Sequence, residues 1–172
     1  MKSPCFFCTL TKTGGLMIKV LFVCLGNICR SPMAHFVFLN MIKEQGISHL
    51  FEVESAGTEE YNSIYKEGIH YGTKEIFRQM KVPYEEHISR HFKKADYDYY
   101  DHILAMDANN VRDILLITNG DPEGKVKRLM DFTPSPRNVK DPWYTGNFDE
   151  TYWDIYEGLQ CFLESLNINK GA

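Results

Sequence analysis

The chain has no apolar run approaching the roughly 20 residues needed to cross a bilayer. It lacks an excess of either charge: 19 basic face 23 acidic residues, a net −4. That leaves no basic field for nucleic acid and no cationic face for a membrane surface, so neither partner is expected. Cysteine is scarce and odd in number, five in all, which argues against a disulfide-stapled secreted fold. Metal-ligand clusters are missing too. Cys5-Phe-Phe-Cys8 has the spacing of half a zinc site or a redox pair, yet no second cysteine pair follows and no redox-type strand precedes it. No metal and no cofactor are expected. The opening Met1–Leu10 lacks the sustained apolar core and cleavage site of a signal peptide, so a cytoplasmic location is expected. There is no internal repeat and no low-complexity tract.

What remains is ordinary globular material, 44% apolar and 24% charged, enough for one domain with a sizeable core. Residues 1–16 end in Thr13-Gly-Gly15 and suggest a flexible N-terminal extension, leaving 17–172 as a single domain. Val20–Val23 is an unbroken apolar, β-branched run, as in a central strand buried on both faces. After Arg30 the period changes: Ala34, Val37, Phe38, Met41 and Ile42 recur at helical spacing, with Pro32 suited to a first turn.

The alternation continues. Phe51–Glu54 reads as a strand ending in the tight turn Ser55-Ala-Gly-Thr58, and Ile69, Thr73, Ile76, Phe77 and Met80 predict a helix. Glu85–Arg90 suggests a short strand or extended loop, and His102–Met106 a buried strand. Asp107 can cap the next helix, with Val111, Ile114 and Leu115 inward and Asn119-Gly120 at its end. Lys127–Phe132 fits a last strand, and a final helix from about Asp149 presents Tyr152, Ile155, Tyr156, Leu159, Phe162, Leu163 and Leu166. The expected class is α/β: three layers, a central parallel sheet of about four strands flanked by helices. Ligands in such folds bind at the carboxyl ends of the strands, where Cys24 falls.

Cys24-Leu-Gly-Asn-Ile-Cys-Arg30 joins the first strand to the first helix. A short loop entering a helix N-terminus turns backbone N–H groups inward, and the helix dipole adds positive potential. Such a nest suits a phosphate-like dianion and also stabilises a thiolate, making Cys24 a nucleophile. Arg30 can clamp two phosphoryl oxygens with its planar fork. Gly26 permits close approach of backbone, and the Ser31 hydroxyl can hydrogen-bond the thiolate. Leu25, Gly26, Asn27, Ile28, Cys29, Arg30 and Ser31 are therefore the candidate phosphate-binding residues.

Val20-Leu-Phe-Val-Cys-Leu-Gly-Asn-Ile-Cys-Arg-Ser-Pro32 resembles the active-site segment of the low-molecular-weight protein tyrosine phosphatases, with the likeness running from about Met17 to about Leu166. The resemblance implies a flavodoxin-like phosphatase fold. It also implies that Ser55 supports the phosphate site, that Tyr61 shapes its rim, and that His87 hydrogen-bonds toward the loop, holding Asn27 and Ser31. His35 and His91 carry no signal of their own.

Cleaving an ester also requires a proton for the leaving oxygen. In the proline-rich stretch Thr133–Tyr144, Pro142 fixes the backbone after Asp141, and Asp141-Pro142-Trp143 matches the family's general-acid motif. Trp143, Tyr144 and Tyr61 can wall a slot for an aryl ring. The expected activity is metal-independent hydrolysis of phosphotyrosine in a protein or peptide, or of an aryl phosphate, through a cysteinyl-phosphate; free phosphate or another oxyanion would occupy the same site. A mildly acidic rate optimum follows if Asp141 must be protonated while Cys24 is ionised. Cys29, five residues from Cys24, can trap an oxidised Cys24 as a disulfide.

Three rivals stand beside this expectation. An arsenate reductase needs further cysteines, and none lies between Cys29 and Cys161. A protein-arginine phosphatase carries threonine where this chain has Ile28. A phosphate-binding module without turnover would have lost Cys24 or Asp141.

Overall fold

The computed structural model describes residues 16–168. The expected N-terminal extension, apart from Leu16, and the Cys5–Cys8 pair lie outside the described residues. Val20, Leu21, Phe22 and Val23 are each 0% exposed, so the apolar run does sit at the centre of a sheet. It belongs to β1 (Ile18–Cys24), which pairs in parallel with β2 (Phe51–Gly57) on one side and β3 (His102–Ala105) on the other. β4 (Val126–Arg128) adds in parallel to β3, giving the order β2-β1-β3-β4. The order reverses about β1, and the crevice outside such a reversal is where open α/β sheets bind ligands.

Alternation along β1 divides the core in two. Val20 and Phe22 pack with Met33, Val37 and Phe38 of α1 (Arg30–Glu44) and with Ile155, Leu159 and Phe162 of α7 (Phe148–Ser165). Ile76 and Phe77 of α3 (Tyr71–Met80) join them. Leu21 and Val23 point the other way, onto Tyr97 of α4 (Lys94–Tyr99) and Ile114 of α5 (Ala108–Thr118). Both faces of the sheet are covered, as its parallel strands require. Among the described residues, no helix is long and apolar enough to cross a membrane.

Three local expectations change. The last strand covers only Val126–Arg128; Leu129–Phe132 is a 3-10 turn. Leu129 and Met130 are fully buried and dive onto α7 at Gly158, where a Cβ would lie 2.7 Å from the Leu129 side chain. Burying two large side chains outweighs two more ladder bonds at a sheet edge. The tight turn expected at Ser55–Thr58 is instead the end of β2, which runs on to Gly57 paired with Cys24. Glu85–Arg90, open to a short strand or an extended loop, takes the loop, with an isolated bridge from Ile88 to Gly68 and another just beyond it from His91 to Gly57. In α5, Ile114 is buried but Val111 and Leu115 are half-buried.

Candidate active site

The loop from Cys24 to Arg30 lies where β1 ends and α1 begins. No side chain caps α1, and its first turn carries no acidic residue. Its terminal N–H groups and dipole are thus left to a ligand. Cys24 is 3% exposed, yet its sulfur is not packed against hydrocarbon alone. Sγ accepts a hydrogen bond from Asn27 N at 3.2 Å and lies 3.1 Å from Ser31 Oγ. The sulfur thus faces one backbone N–H and one hydroxyl.

Asn27 holds the loop's shape. Its backbone is left-handed, φ 55°, a conformation that asparagine tolerates better than most residues. Its side chain, wholly buried, donates to Ser31 Oγ at 2.8 Å and to Ser55 Oγ at 3.0 Å, and accepts from Arg90 N at 3.0 Å. His87 Nε2 meets the Asn27 carbonyl at 3.2 Å; it reaches Asn27 and not Ser31. Asn27 and Ser31 lie behind the loop, while Cys24, Leu25, Gly26, Ile28, Cys29 and Arg30 line the cleft. The end of β2 presses close. A Cβ on Gly57 would stand 2.6 Å from the Leu25 carbonyl oxygen, which is why the last position of β2 needs glycine.

Arg30 is 3% exposed, and three of its five N–H groups find acceptors. NH1 donates to Asp107 at 2.6 Å and to the Val139 carbonyl at 3.0 Å; NH2 donates to Asp141 at 2.9 Å. Burial works against its charge, but Cys24, Asp141 and Asp107 outweigh that and hold its pKa above the ordinary arginine value. Asp107 is the cap foreseen for α5, with its other oxygen accepting from Asn110 N at 2.8 Å. Its grip on Arg30 was not foreseen. The available signal was its place directly after a buried strand, on the same carboxyl edge as Cys24.

Asp141 comes from far along the chain to the same cleft. It caps the short α6 (Pro142–Thr145), accepting from Trp143 N at 3.0 Å. Tyr61 of α2 (Tyr61–Ile64), Trp143 and Tyr144 line the cleft, which encloses about 260 Å³. All three are well exposed at its mouth, Trp143 at 62%. Glu59 and Asn62 also line it, and Asn62 Nδ2 donates to the Gly26 carbonyl at 3.0 Å; no sequence pattern marked either one. Cys29 shares the cleft as a thiol: burial pushes its pKa up to about 12, with Cys24 and Asp141 adding and Arg30 partly offsetting. Among the described residues, no group of three or more His, Cys, Asp or Glu side chains could hold a metal ion.

Known proteins share this arrangement in sequence and in fold. A family model described as low molecular weight phosphotyrosine protein phosphatase matches residues 19–171. The low molecular weight protein-tyrosine-phosphatase YfkJ of Bacillus subtilis is 36% identical over 156 residues, 90% of this chain and 99% of its own. Its crystal structure superposes with a TM-score of 0.84, covering 91% of this chain and 99% of that one. PtpA of Staphylococcus epidermidis, named likewise, is 40% identical over 151 residues, 87% of this chain and 92% of its own. The phosphatase SP-PTP of Streptococcus pyogenes superposes with a TM-score of 0.79 at 34% identity, over 90% and 95% of the two chains. With a buried sulfur, an arginine and a distant aspartate gathered at one strand end, and these relatives spanning nearly its whole length, the chain belongs to the low molecular weight phosphotyrosine protein phosphatase family.

Proposed function

We propose that this chain hydrolyses phosphotyrosine in proteins or peptides through a cysteinyl-phosphate on Cys24, with residues 17–172 as the catalytic unit and the cytoplasm as its location. One observation carries the proposal: Cys24 Sγ, the Arg30 guanidinium and the Asp141 carboxyl meet in a single cleft floored by a helix N-terminus.

The Cys24 thiolate attacks phosphorus in line, breaking the bond to the phenolic oxygen. Arg30 and the loop N–H groups take up the charge on the equatorial oxygens. Arg30 grips Asp141 through NH2, and an incoming dianion takes over that donor. The dianion's charge beside Asp141 favours the protonated carboxyl, which then donates to the leaving oxygen. Asp141, now ionised, draws a proton from the water that hydrolyses the cysteinyl-phosphate. Ser31 Oγ, 3.1 Å from the sulfur, stabilises the departing thiolate. The guanidinium and amides supply the positive field, so the sequence of steps calls on no metal. Ile28 places an apolar wall in the cleft, which favours an aryl ester over a phosphoguanidine.

The test compares phosphotyrosine, phosphoserine and phosphoarginine peptides with the parent enzyme and Cys24→Ser. Phosphotyrosine is expected to lead, and Cys24→Ser to lose at least about 10⁴-fold in kcat. Phosphoarginine preference would overturn the substrate assignment; a fully active Cys24→Ser would overturn the mechanism. Binding of phosphate without turnover by the parent would leave only a binding module.

Cys29 extends the proposal to oxidation. A Cys24 sulfenic acid attacked by the Cys29 sulfur gives a disulfide and releases water. Attack needs the thiolate, scarce at neutral pH in a thiol raised to about 12. Trapping should therefore quicken as pH rises. After peroxide and then dithiothreitol, the parent is expected to regain more activity than Cys29→Ser, by a margin that widens with pH. Equal recovery would rule the trap out.

A further inference from the structure

His35 lies on α1, 7% exposed, on the side of the phosphate loop away from the cleft. It touches no residue that lines the cleft by any hydrogen bond, and no step above uses it. Its Nδ1 lies 3.4 Å from Ser55 Oγ. Ser55 is itself fully buried and already accepts from Asn27 Nδ2 at 3.0 Å. That leaves the single hydroxyl proton of Ser55 to be given away, and a neutral imidazole nitrogen can take it.

The later bonds run in the matching direction. Asn27 Oδ1 is committed to Arg90 N, so its amide group must point both N–H bonds at Ser55 and Ser31. Ser31 Oγ accepts from Asn27 at 2.8 Å, so its own proton is free for Cys24 Sγ at 3.1 Å, with the Ala56 carbonyl at 3.3 Å as the competing acceptor. Buried chains of this kind are worth more than their separate members, because each bond polarises the next. We propose that His35 is a positioning residue for phosphoryl transfer, accepting the Ser55 proton and so aligning Ser55, Asn27 and Ser31 such that Ser31 points its hydrogen at the Cys24 sulfur. The proposal rests on Cys24 being the nucleophile.

The surroundings keep the ring in the form this requires. Burial, then the nearby His87 and Arg90, push the His35 pKa down to about 4, so the ring is neutral wherever the enzyme would work. The His35 and His87 ring centroids are 6.4 Å apart. Both residues line a cavity of about 770 Å³, whose other titratable or charged groups are Lys43, Glu54, Tyr84, Glu85 and Glu86. A protonated His35 would have no lone pair for Ser55, and the hydroxyl would have to turn.

The test uses the whole chain and para-nitrophenyl phosphate. His35→Phe keeps the ring's bulk and removes the acceptor; His35→Asn restores an acceptor near the place of Nδ1. His35→Phe is expected to lower kcat about tenfold and leave KM within about twofold. The pH profile of Cys24 alkylation by iodoacetamide should move to higher pH. His35→Asn is expected to recover to within about threefold of the parent. Ser55→Ala should reproduce the loss, and adding His35→Phe to it should cost nothing more. Parent-like kcat and alkylation in His35→Phe would overturn the proposal, as would equal losses in the Phe and Asn variants or additive losses with Ser55→Ala. A Cys24→Ser enzyme that still turns over would instead remove the reading beneath it, whatever the His35 variants do.

Discussion

The cleft is built from two regions that differ in kind. Its floor, Cys24 to Ser31, is contiguous in sequence and mostly buried, and Asn27 ties it to Ser55, His87 and the Arg90 backbone. Its rim, around Asp141, is carried by a proline-rich segment and held by surface pairs. Arg137 reaches Asp154 at 2.7 Å and Lys140 reaches Glu150 at 2.7 Å. Trp143 and Tyr144 stand mostly in solvent. In the proposed reaction the floor holds the phosphoryl group, the same in every substrate, and rigidity serves that. On the same proposal the rim meets the leaving group and whatever surrounds it, which vary. Exposed ion pairs contribute little each, about 0–1 kcal/mol, so the rim is fixed chiefly by its backbone turn and by Arg30.

The sharpest way to break this contrast is Asp141→Asn. Asparagine can still accept from Trp143 N, so the turn should survive while the proton is lost. We expect kcat to fall by about 10² to 10⁴ for phenyl phosphate, with a far smaller loss when the leaving group is already acidic. Measuring kcat across a series of substituted phenyl phosphates decides it; a uniform loss would mean that Asp141 shapes the rim and donates no proton.

A second measurement addresses the floor alone. The imidazole of His35 titrates near about 6.5 in an unfolded chain and at about 4 in the fold. Between those values the unfolded state holds a proton that the folded state does not. Stability is therefore full above the unfolded pKa and falls as pH drops through the window, by up to about 3 kcal/mol. His87, His70 and His102 are also lowered, each chiefly by burial, and act with the same sign. Urea unfolding at pH 7 and pH 4.5 should show His35→Asn losing distinctly less stability than the parent. An equal loss in both would place the acid sensitivity elsewhere.

The smallest expected effect is at the mouth. Trp143→Ala removes an exposed ring, so the melting temperature should hold while kcat/KM for aryl phosphates drops roughly fivefold, about 1 kcal/mol of stacking. A fall in melting temperature without a change in kcat/KM would make Trp143 a structural residue and blur the distinction between floor and rim.

The floor was legible in advance because its determinants are local. An unbroken apolar run followed by helical periodicity places Cys24 and Arg30 at a strand end, and both faces of β1 are buried as that run demands. The rim was legible only as a motif: Asp-Pro-aromatic says that a carboxyl is poised, but not over what. Errors fell where tertiary packing overrides local preference. Leu129 and Met130 leave the sheet edge for α7 because Gly158 opens a space for them, and nothing around residue 129 announces a glycine in the last helix. Asn62, Glu59 and the second bond of Asp107 were missed because a single polar side chain in a loop looks the same whether it faces solvent or a neighbour.

Local preferences alone set the strand, the loop and the helix that follows it, and with them a sulfur placed before a field of amides. Hydrophobic periodicity and the i-to-i+6 spacing are short-range, and short-range preferences survive without the rest of the chain. The assembled fold was needed to bring Asp107 and Asp141 to one guanidinium 77 and 111 residues away in sequence. It likewise decided that a histidine without sequence signal ends a hydrogen-bond chain leading to Cys24. Those pairings exist because parallel strands bring their carboxyl ends to one edge, and no stretch of residues encodes that edge on its own.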